Sequence, residues 1–228
     1  MTARVTTEDV SIEAVVFDFD GLILDTEGPV FIAWQEEFEA HGCPPLTIDE
    51  WAAEIGTTGG LDLVELVRTR ATRPFDEDAM HERRRVRRDD LLARETTRPG
   101  VHAWLDDADA LGLALAIASS SSAEWVEEHL GRLGLRERFA YVSCYTDEVA
   151  GKPAPDTYLA ACAAIGVAPG AALALEDSPH GVAAAKAAGL RCVAVPNAIT
   201  EGLDLSGADL RLRSLADASL REVIAGFA

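Results

Sequence analysis

Two aspartates at the end of an apolar run are the first residues able to do chemistry, in the segment Asp18-Phe-Asp20-Gly-Leu-Ile-Leu-Asp25. In an extended chain alternate residues share a side, so Asp18 and Asp20 face one way and Phe19 the other. Carboxylates held this close repel unless a shared proton or a cation relieves them, and Mg2+, a hard ion that takes carboxylate, carbonyl and water oxygens, suits the pair. Gly21 then lets the backbone turn sharply away. The same segment also reads as an acidic strand-to-helix turn in which Asp20 or Asp25 serves as a cap.

Three later positions repeat the arrangement of a polar group just after an apolar run. Ser119, followed by Ser120, Ser121 and Ser122, offers a hydroxyl and successive backbone N–H groups that can cradle a phosphate. Lys152, in Gly151-Lys-Pro-Ala-Pro155, offers a compact positive charge. Glu176 and Asp177 add carboxylate oxygens for a metal ion. Each has a plainer alternative: Ser119 as a helix cap, Lys152 as a solvated loop residue, Asp177 as the cap before Pro179. Joint occurrence at four strand ends is what argues for one site.

The elements that must position these groups are short apolar runs. Ala14–Phe19, Leu113–Ala118, Tyr141–Tyr145, Ala172–Leu175 and Arg191–Val195 read as strands, and a weaker sixth lies near Ala208–Leu212. Helical stretches separate them. Ser121-Ser-Ala-Glu124 predicts a capping box for a helix turning Trp125, Leu130 and Leu133 inward, and Pro179 and Gly189 suit the first turn and the end of another. Alternation of this kind predicts an α/β fold, a doubly wound parallel sheet covered on both faces. The stretch 26–96 breaks the alternation: it is helix-like throughout, with Trp34, Phe38, Trp51, Leu63, Val67 and Leu91 as apolar anchors and turn-rich joints at both ends. It is expected to be an inserted all-helical cap domain on a core formed by 1–25 and 97–228; the alternative is a helical layer of the same domain.

Composition bounds the rest. The 228 residues carry 39 acidic against 20 basic side chains, a net charge of −19, and 48% are hydrophobic, enough for a substantial core. So negative a surface argues against a nucleic-acid or anionic-membrane partner, though not against a small phosphorylated ligand in a local positive site. No apolar run approaches the ~20 residues of a membrane span, and the first residues lack the apolar stretch of a secretory signal. Four dispersed cysteines suggest neither a zinc site nor a disulfide framework. A cytoplasmic, monomeric enzyme is expected.

With DFDGLILD, the Ser119 strand end, GKPAPD and LEDSPHG in this order over nearly the whole chain, the sequence resembles the haloacid dehalogenase superfamily. The resemblance is to its branch with a helical C1-type cap, which holds β-phosphoglucomutase-like and phosphoglycolate-phosphatase-like enzymes. It implies a Rossmannoid core and Mg2+ as cofactor, with Asp18 as a nucleophile that becomes an aspartyl-phosphate and Asp20 as general acid, then base. It also implies Ser119, Ser120 and Lys152 as phosphate contacts. Asp18, the Asp20 carbonyl and Asp177 would hold the metal, with Glu176 adjacent or reaching it through water. An acid at position 20 favours phosphate-ester chemistry, since the dehalogenases of the superfamily lack one there.

Hydrolysis of a small sugar or polyol phosphate is the expected reaction. The alternative of a β-phosphoglucomutase-like mutase is disfavoured because that pattern carries a His where this chain has Val30, and a cap-loop Arg that falls near Gly59. A phosphoacceptor signalling domain would be about half as long, and a catalytically silent sugar-phosphate sensor fits poorly with intact Asp18, Asp20, Lys152 and Asp177. Specificity is expected from the Glu54–Gly60 loop, where Gly56 permits close approach to the substrate. The basic run His81–Arg88 holds five arginines that fan around a helix, predicting an ion-paired solvated face, with Arg84 or Arg88 as the alternative grip on an anion. His129 is expected to be structural.

Overall fold

The computed structural model describes residues 11–52 and 62–227. Six parallel strands form one sheet: β1 (Ala14–Phe17), β2 (Ala114–Ala118), β3 (Tyr141–Ser143), β4 (Ala172–Glu176), β5 (Arg191–Ala194) and β6 (Leu210–Arg211). Their order is β3-β2-β1-β4-β5-β6. The chain therefore winds outward from β1 to one side, returns, and continues from β4 on the other. The loops after β1 and β4 diverge at this switch point, where open α/β sheets form their ligand crevice.

Side-chain size differs between the two faces. Val15, Phe17, Leu115, Ile117, Leu173, Leu175 and Val193 enter the larger core with α5 (Val101–Leu111), α6 (Ala123–Leu133) and α9 (Leu220–Ala225). Ala14, Val16, Ala116, Ala118, Ala172, Ala174 and Ala194 face the other way, towards α7 (Asp156–Ile165) and α8 (Pro179–Ala187). Small side chains on that face let α7 and α8 pack close to the sheet. The expected doubly wound parallel sheet is present, with every strand but the fourth shorter than the apolar run proposed for it.

Between β1 and α5 the described residues form α1 (Glu27–Ala40), α2 (Ile48–Ala52), α3 (Leu63–Arg70) and α4 (Glu77–Leu92). Trp34, Phe38, Leu46, Leu63, Val67 and Met80 make a separate small core. Of the proposed anchors, Leu91 gives way to Leu92 as the fully buried residue at the end of α4. The chain segments leading into and out of these helices lie side by side: Leu24 bridges Thr97, and the Arg98 N–H donates to the Ile23 carbonyl at 2.9 Å. Arg98 also donates from its guanidinium to the carbonyls of Gly21, Val195 and Pro196. Burial lowers its pKa, and the Asp177 and Asp25 charges oppose that shift.

The basic run in α4 is ion-paired as expected. Arg83 pairs with Glu37, Arg85 with Glu82 and Asp89, Arg87 with Glu36 and Asp90, and Arg88 with Asp89. Arg84 lies over the Trp34 ring, 4.5 Å from its centre. Neither Arg84 nor Arg88 is among the described residues lining the cavity next to Asp18.

Candidate active site

Register brings the functional groups level with one another. Phe17 is paired with Ile117 and Leu175, so Asp18, Ser119 and Glu176-Asp177 leave their strands at nearly the same height. The extended ladder continues for one more step, through Asp18 N–H to the Leu175 carbonyl and Ser119 N–H to the Ser143 carbonyl, both at 2.9 Å. Phe17 and Phe19 both enter the larger core, which leaves Asp18 and Asp20 on the opposite side, as alternation predicts.

At the bottom of the site the Lys152 ammonium donates to Asp18 Oδ1 and, at 2.5 Å, to Glu176 Oε1. The Tyr158 hydroxyl donates to the same Glu176 oxygen at 2.5 Å, and the Asp177 N–H to Glu176 Oε2 at 3.2 Å. All four side chains are buried, with Lys152 only 3% exposed. Burial raises the Asp18 pKa well above the ordinary range; the Lys152 charge opposes this, while the Glu176 and Asp20 charges add to it. Burial likewise raises Asp177, with Asp18 and Glu176 adding to the shift. For Lys152 burial acts downwards, but the Asp18 and Glu176 carboxylates outweigh it and hold the ammonium charged.

Asp18, Glu176 and Asp177 each place a carboxylate oxygen within 4.8 Å of the others. Three buried carboxylates face one ammonium, and the excess negative charge fits a divalent cation bound by oxygen ligands. The close packing around this trio depends on glycine. At Gly21, with φ +75°, a Cβ would sit 2.2 Å from Asp177 Oδ2; at Gly181 it would sit 1.8 Å from Glu176 Oε2. Asn197 donates to Asp177 Oδ2 at 2.7 Å and fixes that carboxylate from the β5 side.

Asp20 is held separately. Its Oδ2 accepts from Ser121 Oγ at 2.7 Å and from Ser119 Oγ at 3.4 Å, and its Oδ1 accepts from Trp125 Nε1 at 2.9 Å. The serine run therefore divides its labour. Ser120 Oγ accepts from the Lys152 N–H, Ser122 caps α6 by accepting from the Trp125 N–H, and Ser121 is free to reach Asp20. The expected capping box at Ser121 is not formed: Ser122 is the N-cap of α6, and the residue three on is Trp125, which packs half-buried against the larger core as expected and also lines the cavity. Asp25, one residue before the N-cap Thr26, accepts from the Gly28 N–H in the first turn of α1, so of the two aspartates it is Asp25 that serves the helix start.

These groups surround a cavity of about 260 Å3 lined on the core side by Asp18, Asp20, Ser119, Ser120, Lys152 and Asp177. Its opposite wall is Thr26, Glu27, Val30 and Trp51. Burial, reinforced by the Asp20 and Asp25 charges, pushes the Glu27 carboxyl up to about 8, while the Trp51 indole favours the ionised form. Reasoning from sequence passed over Glu27, Trp125, Tyr158, Gly181 and Asn197. Only Gly181 carried a signal, standing beside Pro179 in a helix start directly after two acidic residues. The proposed Gly56 contact and the Gly59 position lie outside the described residues. His129 is buried, stacked on Phe19 and edge-on to Trp125, and burial lowers its pKa.

Residues 15–195 match the model of the haloacid dehalogenase-like hydrolase family. A candidate phosphatase of Bacillus subtilis, YhcW, is 41% identical over 209 residues, covering 92% of this chain and 94% of the relative. A phosphorylated-carbohydrate phosphatase of Thermotoga maritima is 33% identical over 195 residues, covering 83% and 88%. The crystal structure of CbbY from Rhodobacter sphaeroides in complex with phosphate superposes with a TM-score of 0.72 at 32% identity, covering 92% of this chain and 98% of the other.

Proposed function

The chain belongs to the haloacid dehalogenase-like hydrolases and is a phosphoric monoester hydrolase, and from that premise we propose that it releases phosphate from a small sugar or polyol phosphate with Asp18 as nucleophile. The observation that carries the reading is the buried set of Asp18, Lys152, Glu176 and Asp177 at the ends of β1 and β4, facing a cavity of modest size. Residues 26–96 are the proposed helical cap over a core of 1–25 and 97–228.

Asp18 attacks phosphorus, forming an Asp18 O–P bond as the P–O bond to the leaving group breaks. Lys152 on Oδ1 orients the nucleophile, and with Ser119 and Ser120 it forms the proposed phosphate cradle. Asp20, protonated, gives its proton to the departing alkoxide; then, as the carboxylate, it takes a proton from the water that attacks phosphorus, freeing inorganic phosphate and restoring Asp18. Asp18, Asp177 and the Asp20 carbonyl are the proposed Mg2+ ligands, with Glu176 supporting them through Lys152 and the Asp177 N–H. When bound, Mg2+ offsets negative charge on the phosphoryl oxygens.

The far wall supports the substrate class. Thr26 Oγ1 is buried without a hydrogen-bond partner among the described residues, and beside it stand the Trp51 indole and Glu27, whose carboxyl burial pushes up to about 8. These groups suit the hydroxyls of a polyol. Val30, on the same wall, can neither give nor take a proton, which favours hydrolysis over transfer to a second sugar hydroxyl. Phosphate release from a panel of phosphorylated metabolites tests the reading. Steady release with a sugar or polyol phosphate is expected, and isomerisation of a sugar phosphate without release would overturn it.

A further inference from the structure

Trp125 stands in the first turn of α6, outside the four segments that carry the proposed chemistry, yet its side chain joins the two halves of the site. At one edge the indole N–H meets Asp20 Oδ1 at 2.9 Å. His129, one turn further along α6, packs edge-on against the ring with centroids 4.3 Å apart. Above the ring lies the guanidinium carbon of Arg88, 5.5 Å from its centre, projecting from α4. The only arginine of the basic run that reaches across to α6 among the described contacts is therefore placed on the residue that holds Asp20.

The types of donor around Asp20 matter. An indole N–H donates and never accepts, whereas serine hydroxyls do both. A carboxyl group flanked by Trp125 at Oδ1 and by Ser119 and Ser121 at Oδ2 carries its proton best on Oδ2, where a hydroxyl can turn to accept it. We propose that Trp125 is a positioning residue for Asp20: it fixes the plane of the carboxyl, directs the exchangeable proton to Oδ2, and takes its own orientation from Arg88 of α4. The arrangement makes Asp20 answerable to the helical layer through a single ring. The proposal rests on the acid–base role proposed for Asp20.

The test compares kcat/KM for the sugar phosphate turned over fastest with kcat/KM for p-nitrophenyl phosphate, at saturating Mg2+. This parameter covers only the steps up to phosphorylation of Asp18, and nitrophenolate leaves without help from an acid while an alkoxide does not. Trp125→Phe keeps the ring and loses the N–H; it is expected to lower the sugar-phosphate value about tenfold and the aryl value less than threefold. Because both substrates report on the same folded fraction, their ratio is unaffected by partial unfolding. Arg88→Gln, which leaves the core untouched, is expected to shift the ratio the same way by about threefold. Equal losses on both substrates in Trp125→Phe, or an unchanged ratio, would overturn the proposal. Asp20→Asn separates the two layers of argument. If it shows the discrimination and Trp125→Phe does not, the positioning role alone fails; if it shows none, the acid–base role of Asp20 fails and takes the positioning role with it.

Discussion

The sheet end and the helical layer solve the problem of placing charge in opposite ways. At the sheet end, Asp18, Lys152, Glu176 and Asp177 are removed from water, and each is fixed by a strand ladder or a short hydrogen bond. In the helical layer, charges meet across α1 and α4 at or near the surface, as exposed Glu36 with Arg87 and buried Glu37 with the half-exposed Arg83. Burial makes the first set reactive and intolerant of change, because unpaired charge there has no solvent to fall back on. Exposure makes the second set weak one by one and replaceable. The proposed reaction chemistry thus sits where backbone register dictates position, and the wall proposed to face the substrate is built from helices.

The sharpest break of this contrast is Asp18→Asn. It is expected to lower turnover by at least about 10³-fold while leaving the fold intact, since the amide is isosteric and Lys152 keeps Glu176 as a partner. Phosphate release together with a thermal melt checks it; near-normal turnover would remove Asp18 from its role. Next comes Gly181→Ala. A glycine-to-alanine change within a helix ordinarily stabilises by about 1 kcal/mol. Here the added Cβ would lie 1.8 Å from Glu176 Oε2, on a strand that cannot retreat. A loss of about 3 kcal/mol or more is expected, read as a lower melting temperature accompanied by weaker Mg2+ binding. A stabilised variant would show that the sheet end is less rigid than its packing implies.

How much of this was readable beforehand follows the same division. The strands, their parallel arrangement and the convergence of Asp18, Ser119, Lys152 and Asp177 were legible, because apolar runs and the polar groups ending them are local in sequence. The family resemblance was legible for the same reason. What escaped depends on side-chain direction over long separations. Trp125 reads as a core residue of an amphipathic helix and packs as one, but the meeting of its indole N–H with Asp20 spans 105 residues and leaves no local signal. Glu27 looks like a solvated residue of a helix start, yet burial and the nearby charges of Asp20 and Asp25 push its carboxyl up to about 8. Tyr158 and Asn197 act on groups 18 and 20 residues away and belong to no recognisable spacing.

Metal binding sharpens the contrast through pH. Burial raises the Asp18 and Asp177 pKa values, so the native protein retains protons that the unfolded chain gives up once pH passes about 4. Their contribution to stability is complete below that point and is lost as pH climbs through the raised native values. The proposed Mg2+ site needs the ionised carboxylates, so stabilisation by added Mg2+ is expected to offset this loss and to grow with pH. At a hundredfold excess over its dissociation constant it is worth about 2.7 kcal/mol, or a melting shift of roughly 5–10 °C. Melts with Mg2+ or a chelator at about pH 5 and about pH 8 check the sign; a larger shift at the lower pH would contradict it. On the opposite wall, Glu27 should bind a polyol as the neutral acid and lose that ability as pH rises through about 8. The wild-type KM for a sugar phosphate is expected to rise several-fold above that pH, and that of Glu27→Gln, which keeps a donor at every pH, to stay level. Parallel rises in both proteins would exclude Glu27 from the contact.

The smallest effects belong to the helical layer, and they separate its partly buried charge from its exposed ones. Glu37 is 5% exposed and accepts two hydrogen bonds from Arg83, at 2.8 and 3.2 Å. Arg83→Ala leaves that carboxylate with the Arg84 charge and the His41 ring, 3.7 Å away, as neighbours. Since Arg83 itself is half in solvent, water can take over part of its role, and a cost of about 1 kcal/mol is expected, a fall of roughly 2–4 °C in melting temperature. Arg85, paired only with Glu82 and Asp89 on the open face of α4, is expected to give no measurable change on replacement by alanine. Melting curves of the two variants measure the difference directly. Equal losses would mean that the charges of α4 act as one network, and the division between a buried, fixed sheet end and an exposed, adjustable layer would then have to be drawn inside the layer's own core of Trp34, Phe38 and Met80.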